Sequence, residues 1–320
     1  HTIRELQNGG FEPVVLDNLV YGHRKIVEDV LRVPLVIGQV GDKQLLQKLL
    51  SGDHPSTRGK VIKGIMHFAN YTYVGESVID PAKYYKNNLA ETIIFLEALL
   101  EDSKKRNSPP IPIVFSSTAA IYGLPQETEI PIAETTLQNP INPYGRSKLM
   151  IENILIDYHK AYNLPVSILR YFNAAGADIK GDIGEDHNPE THLIPLVLEA
   201  LFEKDGFIKV NGIDYSTFDG TCIRDYVHVS DLAKAHVLSL NKIIKDQSLS
   251  IYNLGNGKGY SIMEVIDAGK KVTGKEIKIL KSKRRQGDPP VLISAPEKAK
   301  KELFWKPEFQ DLESIIKTAW

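Results

Sequence analysis

The chain has 320 residues, 42% hydrophobic and 25% charged, with a formal net charge of −1. Near-neutral charge argues against a nucleic-acid binder, which presents a basic face, and no apolar run approaches the roughly 18 residues that span a bilayer. The length suits about two domains of roughly 150 residues. The single cysteine, Cys222, forms no internal disulfide and fits a reducing compartment, so the expected location is the cytoplasm.

In chain order, the first element is a helical stretch, His1 to Asn8, closed by Gly9-Gly10 as a C-cap. No basic start followed by an apolar core is visible, so no signal peptide is read. The last residues, Ala319-Trp320, fall inside a helical pattern, and the expectation is a fragment cut at both ends. Short apolar runs at Val14–Leu16, Leu35–Ile37, Ile65–Phe68, Pro112–Phe115 and Val166–Leu169 read as buried strands. Between them, helical periods cover Lys43–Leu50, Tyr84–Leu100 and Pro143–Tyr162. In the second of these, Leu89, Ile93, Leu96 and Leu100 form the expected apolar stripe. Such alternation predicts an α/β fold, a Rossmann-like doubly wound parallel sheet.

After Phe172 the rhythm loosens. Residues 173–191 are rich in Gly, Asp, Asn and Pro and read as a long functional loop. Shorter elements follow: helix Leu193–Phe202, strand Tyr226–Val229, helix Asp231–Leu240, strand Ile251–Leu254 and helix Ser261–Val272. The expected division is residues 1–172 for a dinucleotide and 173–320 mainly for a smaller α/β substrate-binding part, with segments returning to the first.

Asp17 ends a strand, where a dinucleotide fold places an acid on the adenosine ribose. On that reading the first strand and its glycine loop would lie upstream of His1. The strongest local signal is Tyr144-Gly-Arg-Ser-Lys148, whose Tyr and Lys share one helix face. An ammonium nearby favours the phenolate, which can take a proton from a substrate hydroxyl. About two dozen residues earlier, strand Phe115 runs into Ser116-Ser117-Thr118, at the strand end where such sheets bind ligands. Thr118 is placed there to share the substrate oxygen with Tyr144.

These residues, with His67-Phe-Ala, Val74-Gly-Glu-Ser-Val, Pro81 before Tyr84-Tyr-Lys-Asn-Asn88, Leu169-Arg-Tyr-Phe-Asn173, Gly184-Glu-Asp, His192-Leu-Ile-Pro, Asp219-Gly-Thr-Cys-Ile-Arg-Asp-Tyr226, Tyr252-Asn-Leu-Gly and Arg284-Arg-Gln-Gly-Asp288, occur in one order along the whole chain. In this the chain resembles the extended short-chain dehydrogenase/reductases and, within them, the UDP-glucose 4-epimerases. The resemblance implies NAD as cofactor and a UDP-sugar as substrate, epimerised at C4 through a 4-keto intermediate in galactose metabolism. It implies Tyr144 as base, Lys148 as its partner and nicotinamide-ribose ligand, and Thr118 as hydroxyl partner. Asp17, Asn18, Gln39, Phe68, Asn87, Ser116 and Tyr171 would join Tyr144 and Lys148 around the cofactor. Asn173, His192, Leu193, Asn211, Arg224, Arg285, Asp288 and Leu292 would join Thr118 around the sugar nucleotide. The two arginines suit a diphosphate, because guanidinium forks pair with its oxygens. A homodimer through helices Tyr84–Leu100 and Pro143–Tyr162 is also implied, with no membrane or nucleic-acid partner.

Departures from the family pattern are Gln39 for an adenine-binding Asp, Thr72 where some members carry Lys, Asn70 for a small residue, and the absent glycine-rich loop. A nucleotide-sugar 4,6-dehydratase is disfavoured because Ala119-Ala120 stand where its Asp-Glu pair would be. A UDP-pentose (xylose/arabinose) 4-epimerase and a non-catalytic nucleotide-binding relative remain alternatives. Glu185-Asp186-His187 with His192 lacks a recognised ligand spacing, and no metal is expected.

Overall fold

The computed structural model describes residues 1–285 and 288–320; Gln286 and Gly287, part of the Arg284–Asp288 motif, lie outside them. Helix α1 (Thr2–Asn8) precedes strand β1 (Val15–Asp17), which pairs in parallel with β2 (Leu35–Ile37). Helix α2 (Lys43–Ser51) follows, its first turn capped by Asp42, which accepts from Leu45 N. It ends at Gly52, whose φ of 83° gives the left-handed closure that glycine adopts without strain.

Strands β3 (Ile65–His67), β4 (Ile113–Thr118) and β5 (Val166–Tyr171) lie side by side in one parallel sheet. Residues 113–117 and 166–170 are buried without a break, as apolar strands covered by helices on both faces must be. Ordinary short connections then give way to helices α3 (Val74–Ile79), α4 (Pro81–Tyr84), α5 (Glu91–Arg106) and α6 (Pro143–Tyr162).

The expected helix at 84–100 differs in detail. Residues Tyr85–Ala90 form a π-helical turn between α4 and α5. That wider turn rotates the face that follows. The fully buried stripe of α5 is Thr92, Phe95, Leu96 and Leu99, whereas Leu89, Ile93 and Leu100 are only half-buried.

The second half returns to the first sheet. After β6 (Asn173–Ala175), α7 (Leu193–Phe202), β7 (Phe207–Asn211), β8 (Ile223–His228) and α8 (Val229–Asp246), strand β9 (Leu249–Leu254) pairs in parallel with β5 over six residues. The sheet order is therefore β3-β4-β5-β9. The remaining elements are β10 (Gly259–Ser261), α9 (Ile262–Thr273), β11 (Lys278–Ser282), β12 (Val291–Leu292), α10 (Glu297–Glu302) and α11 (Leu312–Ala319). Strand β8 carries β6, β10 and β12 around it, and β11 pairs with β7. One core, with Phe95, Leu96, Phe115 and Ile168, fills the first sheet's helical layer; another, with Val197, Leu201, Val265 and Ile315, fills the second half. Among the described residues, no helix is long and apolar enough to cross a membrane.

Candidate active site

The site lies along the C-terminal ends of the parallel strands, where side chains leave the sheet together. Helix α6 begins there because Asn142 caps it, accepting from Gly145 N at 2.8 Å, and Pro143 occupies the first helical position. The cap fixes the first two turns, which carry Tyr144 and Lys148. Both are buried, at 9% and 3% exposure.

Lys148 Nζ donates to Asn70 Oδ1 and to Ser116 O, each at 2.7 Å. Burial pulls this ammonium down to about 7 from its usual value near 10.5. Tyr144 moves the other way. Burial first, then the neighbouring Tyr171, raises its phenol well above the ordinary range, while a hydrogen bond with Thr118 opposes the rise. Lys148 was expected to pull the phenol down, yet its ammonium is aimed at Asn70 and Ser116. Thr118 ends β4 and also accepts from Ala120 N at 3.1 Å, which turns the chain into the short helix Ala119–Tyr122.

Around this pair the structure brings together several other expected residues. Ser116 and Tyr171 join hydroxyl to hydroxyl at 2.7 Å. Phe68 stacks on His236, with ring centroids 4.9 Å apart, and His236 also packs near Tyr171. Along the same sheet edge, Asp17, Asn18, Gln39, Phe68, Asn70 and Asn87 line one cleft. There Asn18 Nδ2 donates to Gln39 Oε1 at 3.1 Å, and Asp17 Oδ1 accepts from Leu19 N at 2.7 Å. Gly22 closes tightly over Asp17: an added Cβ would stand 2.8 Å from its Oδ1.

Several of the expected sugar-nucleotide residues lie on or beside β8. Arg224 pairs with Asp288 through a guanidinium–carboxylate contact and donates to Ile223 O at 2.8 Å. Leu292 lies beside Arg224 in the β8–β12 ladder and packs on the cluster that includes Ala119, Tyr122 and Phe172. With its amide oriented by the hydrogen-bond network, Asn211 accepts from Arg285 Nε and Nη2 at 3.2 Å. Asn173 commits its amide to Asp225 O at 2.9 Å, which leaves its carbonyl oxygen available. His192 is exposed at the residue before α7, where its side chain makes no capping hydrogen bond, and Leu193 starts that helix, half-buried.

Several residues that the sequence reading left without a role support the site. Beneath the site, Glu152 accepts from Ser117 Oγ and from Arg170 Nη2, the latter at 2.6 Å. Arg170 also donates to Tyr122 Oη at 2.9 Å and Glu134 O at 3.0 Å. This buried network holds Ser117 and Arg170, the residues immediately before Thr118 and Tyr171. His67 lies under Lys148, where burial and that ammonium lower it to about 3. The loop before α7 also differs from expectation. It was read as lacking ligand spacing, but its irregular path brings Glu185, His187, Glu190 and His192 together, so that their donor atoms lie within 4.8 Å of one another.

The chain is similar to known proteins along its whole length. A family model described as "NAD dependent epimerase/dehydratase family" matches residues 1–255. A "UDP-glucose 4-epimerase" of Lacticaseibacillus casei is 44% identical over 320 residues, covering 100% of this chain and 92% of that protein. The rice "Probable UDP-arabinose 4-epimerase 3" is 38% identical over 332 aligned positions, covering 100% of this chain and 78% of that protein. Among solved structures, the Brucella ovis UDP-glucose 4-epimerase in complex with NAD superposes with a TM-score of 0.88 at 42% identity, over 100% of this chain and 93% of that one. With a family model over most of its length and relatives of such identity along all of it, the chain belongs to the NAD dependent epimerase/dehydratase family.

Proposed function

We propose that the chain catalyses NAD-dependent epimerisation at C4 of a UDP-sugar, interconverting UDP-glucose and UDP-galactose. The observation that carries this reading is the grouping of Thr118 with the buried Tyr144 and Lys148 at the strand ends. The fit to a dinucleotide rests on donor chemistry: Asp17 presents a carboxylate at a strand tip, and Lys148 has two of its three N–H groups committed, leaving one free. Asp17, Asn18, Gln39, Phe68, Asn87, Ser116, Tyr171 and Lys148 would hold NAD, which when bound supplies the acceptor and donor of a hydride at C4.

The chain's own residues handle the proton. Tyr144 Oη takes it from the 4-hydroxyl and returns it to the 4-keto sugar after the ring has turned in the pocket. Thr118 hydrogen-bonds the same substrate oxygen. Burial opposes the phenolate, and in this reading Lys148, a single helical turn away, offsets it once its ammonium turns from Asn70 and Ser116 toward the phenol. Arg224 and Arg285 bind the diphosphate, Asn173, His192, Leu193 and Asn211 complete that pocket, and Asp288 orients Arg224.

In this reading residues 1–172 hold the dinucleotide and 173–320 mainly the sugar nucleotide. The protein works in the cytoplasm, where its buried free Cys222 stays reduced. It pairs as a homodimer, for which exposed Val78, Ile79, Met150 and Tyr162 supply apolar surface. The rice relative's name favours one second reading, a UDP-pentose 4-epimerase, whose proton chemistry is identical.

The test is turnover of UDP-galactose by the purified chain and its Tyr144→Phe variant, with UDP-xylose in parallel. Loss of a general base costs about 10² to 10⁴ in rate. Parent-like turnover by the variant overturns the role of Tyr144, and turnover of UDP-xylose alone selects the pentose reading.

A further inference from the structure

The loop between β6 and α7 points four donor side chains at one place. His187 Nδ1 stands 3.2 Å from Glu185 Oε1 and 3.4 Å from Glu190 Oε2. His192 Nδ1 touches the same Glu185 oxygen. All four donor atoms fall within 4.8 Å of one another.

Two features separate this cluster from a set of ion pairs. Charge-assisted N–H···O bonds run at about 2.7–2.9 Å, and both His187 separations are longer. The two are close to the edge of a tetrahedron, roughly 3.3–3.4 Å when ligands sit about 2.0–2.1 Å from a zinc ion. The tighter His192–Glu185 contact must open for both to ligate. Consistently, His187 Nδ1 is shut off from solvent yet has no hydrogen-bond partner. It faces one carboxylate oxygen of Glu185 and one of Glu190.

The supporting groups are also in place. Glu190 Oε1 accepts from Thr191 N at 2.6 Å and His192 N at 2.8 Å, which fixes the carboxylate and presents Oε2 to His187. Tyr73 packs edge-on to His187, with ring centroids 6.1 Å apart, and its buried hydroxyl is unpartnered. Donors of that kind commonly orient ligating carboxylates.

We propose that Glu185, His187, Glu190 and His192 bind one divalent cation of the zinc class, His192 through Nδ1, which leaves its Nε2 to the sugar-nucleotide pocket of the proposed function. Two carboxylates and two neutral imidazoles balance its charge, and imidazole ligands suit zinc better than magnesium or calcium. Four protein ligands close the coordination sphere, the pattern of a structural ion. The ion ties residues 185–192 together just before α7 and so fixes where that helix begins. It also fastens this loop beside Tyr73 and His23, the latter 3.3 Å from Asp186.

The test uses the full chain with affinity tags removed, stripped of metal on a chelating resin. Zn²⁺ is titrated against a chromophoric chelator, and Co²⁺ is added to a second sample. One Zn²⁺ per chain bound below micromolar concentration, and the intense visible bands of tetrahedral Co²⁺, are expected. His187→Gln and Glu190→Gln should each weaken binding at least tenfold. Far-UV circular dichroism of both variants shows whether they stay folded; if they do not, the parent's stoichiometry and Co²⁺ spectrum decide. No stoichiometric uptake, a weak octahedral Co²⁺ spectrum, or unchanged uptake by two folded variants overturns the proposal and leaves an ion-pair cluster.

Discussion

Lys148 Nζ donates to Asn70 Oδ1 at 2.7 Å, tying the second turn of α6 to the loop after β3 across 78 positions of sequence. The oxygen stabilises an ammonium that burial otherwise opposes. A hydrogen bond to a charged group is worth about 1.5 kcal/mol or more, which corresponds to roughly one pH unit. In Asn70→Ala, the alkaline limb of kcat should therefore move to lower pH by about that much. Asn70→Asp, which adds a negative charge, should move it the other way. Superimposable pH–rate profiles for all three proteins would refute the role of Asn70.

Lys148 should also mark the protein's stability. Its folded value of about 7 lies below the unfolded value near 10.5. Between those values the unfolded chain binds the extra proton, so stability rises with pH. Below pH 7 both states are protonated and the full penalty of burying the charge applies. The predicted contribution is on the order of a few kcal/mol gained from pH 7 to about 10. Urea unfolding of the parent and of Lys148→Met at both pH values measures it. The variant should lack that gain, and equal slopes for the two would contradict it.

Removing Glu152 should cost more than a surface charge would. Its carboxylate is buried and pairs with Arg170 at 2.6 Å. Breaking a buried pair from one side costs about 3–5 kcal/mol, because the remaining charge is left uncompensated. Glu152→Ala should thus lose a large part of a domain's stability of about 5–15 kcal/mol. Replacing both partners with apolar residues should recover much of that loss. A denaturation midpoint unmoved by Glu152→Ala would disprove this.

Leu292 sits next to Arg224 in the ladder and over the turn after Thr118. If it forms the sugar-facing wall, its size sets which sugars enter. Leu292→Ala should raise turnover of UDP-N-acetylglucosamine relative to UDP-glucose, and Leu292→Tyr should suppress it. A methylene in such a pocket is worth about 1–3 kcal/mol, so changes of tenfold or more are expected. An unchanged ratio of kcat/KM in both variants would place the wall elsewhere.

What the sequence could reveal depended on periodicity. Tyr144 and Lys148 were legible because four residues make about one helical turn and the strand before them was unmistakably apolar. The π-helical turn at 85–90 was not, since one extra residue per turn leaves no compositional trace. Strands β7 and β11 were missed because each is only five residues long: β7 buries just Ile208 and Val210, and β11 buries no residue fully. Arg170 stood inside a family motif without a role and Glu152 in none, and only the packing of α6 onto β5 encloses them as a pair. Asn70 was visible as an oddity, but its partner is 78 positions away. The four donors before α7 meet through a loop with no repeat to read.

Strand β9 completes the edge of the first sheet, yet it leaves the ribosome about 80 residues after β5. At 5–20 residues per second that gap lasts roughly 4–16 s. Throughout it the nascent chain carries the six-residue strand Val166–Tyr171 with one side unpaired, the kind of edge that recruits a neighbour's strand. Slowing translation between Tyr171 and Leu249 should therefore increase aggregation during synthesis without altering the finished enzyme.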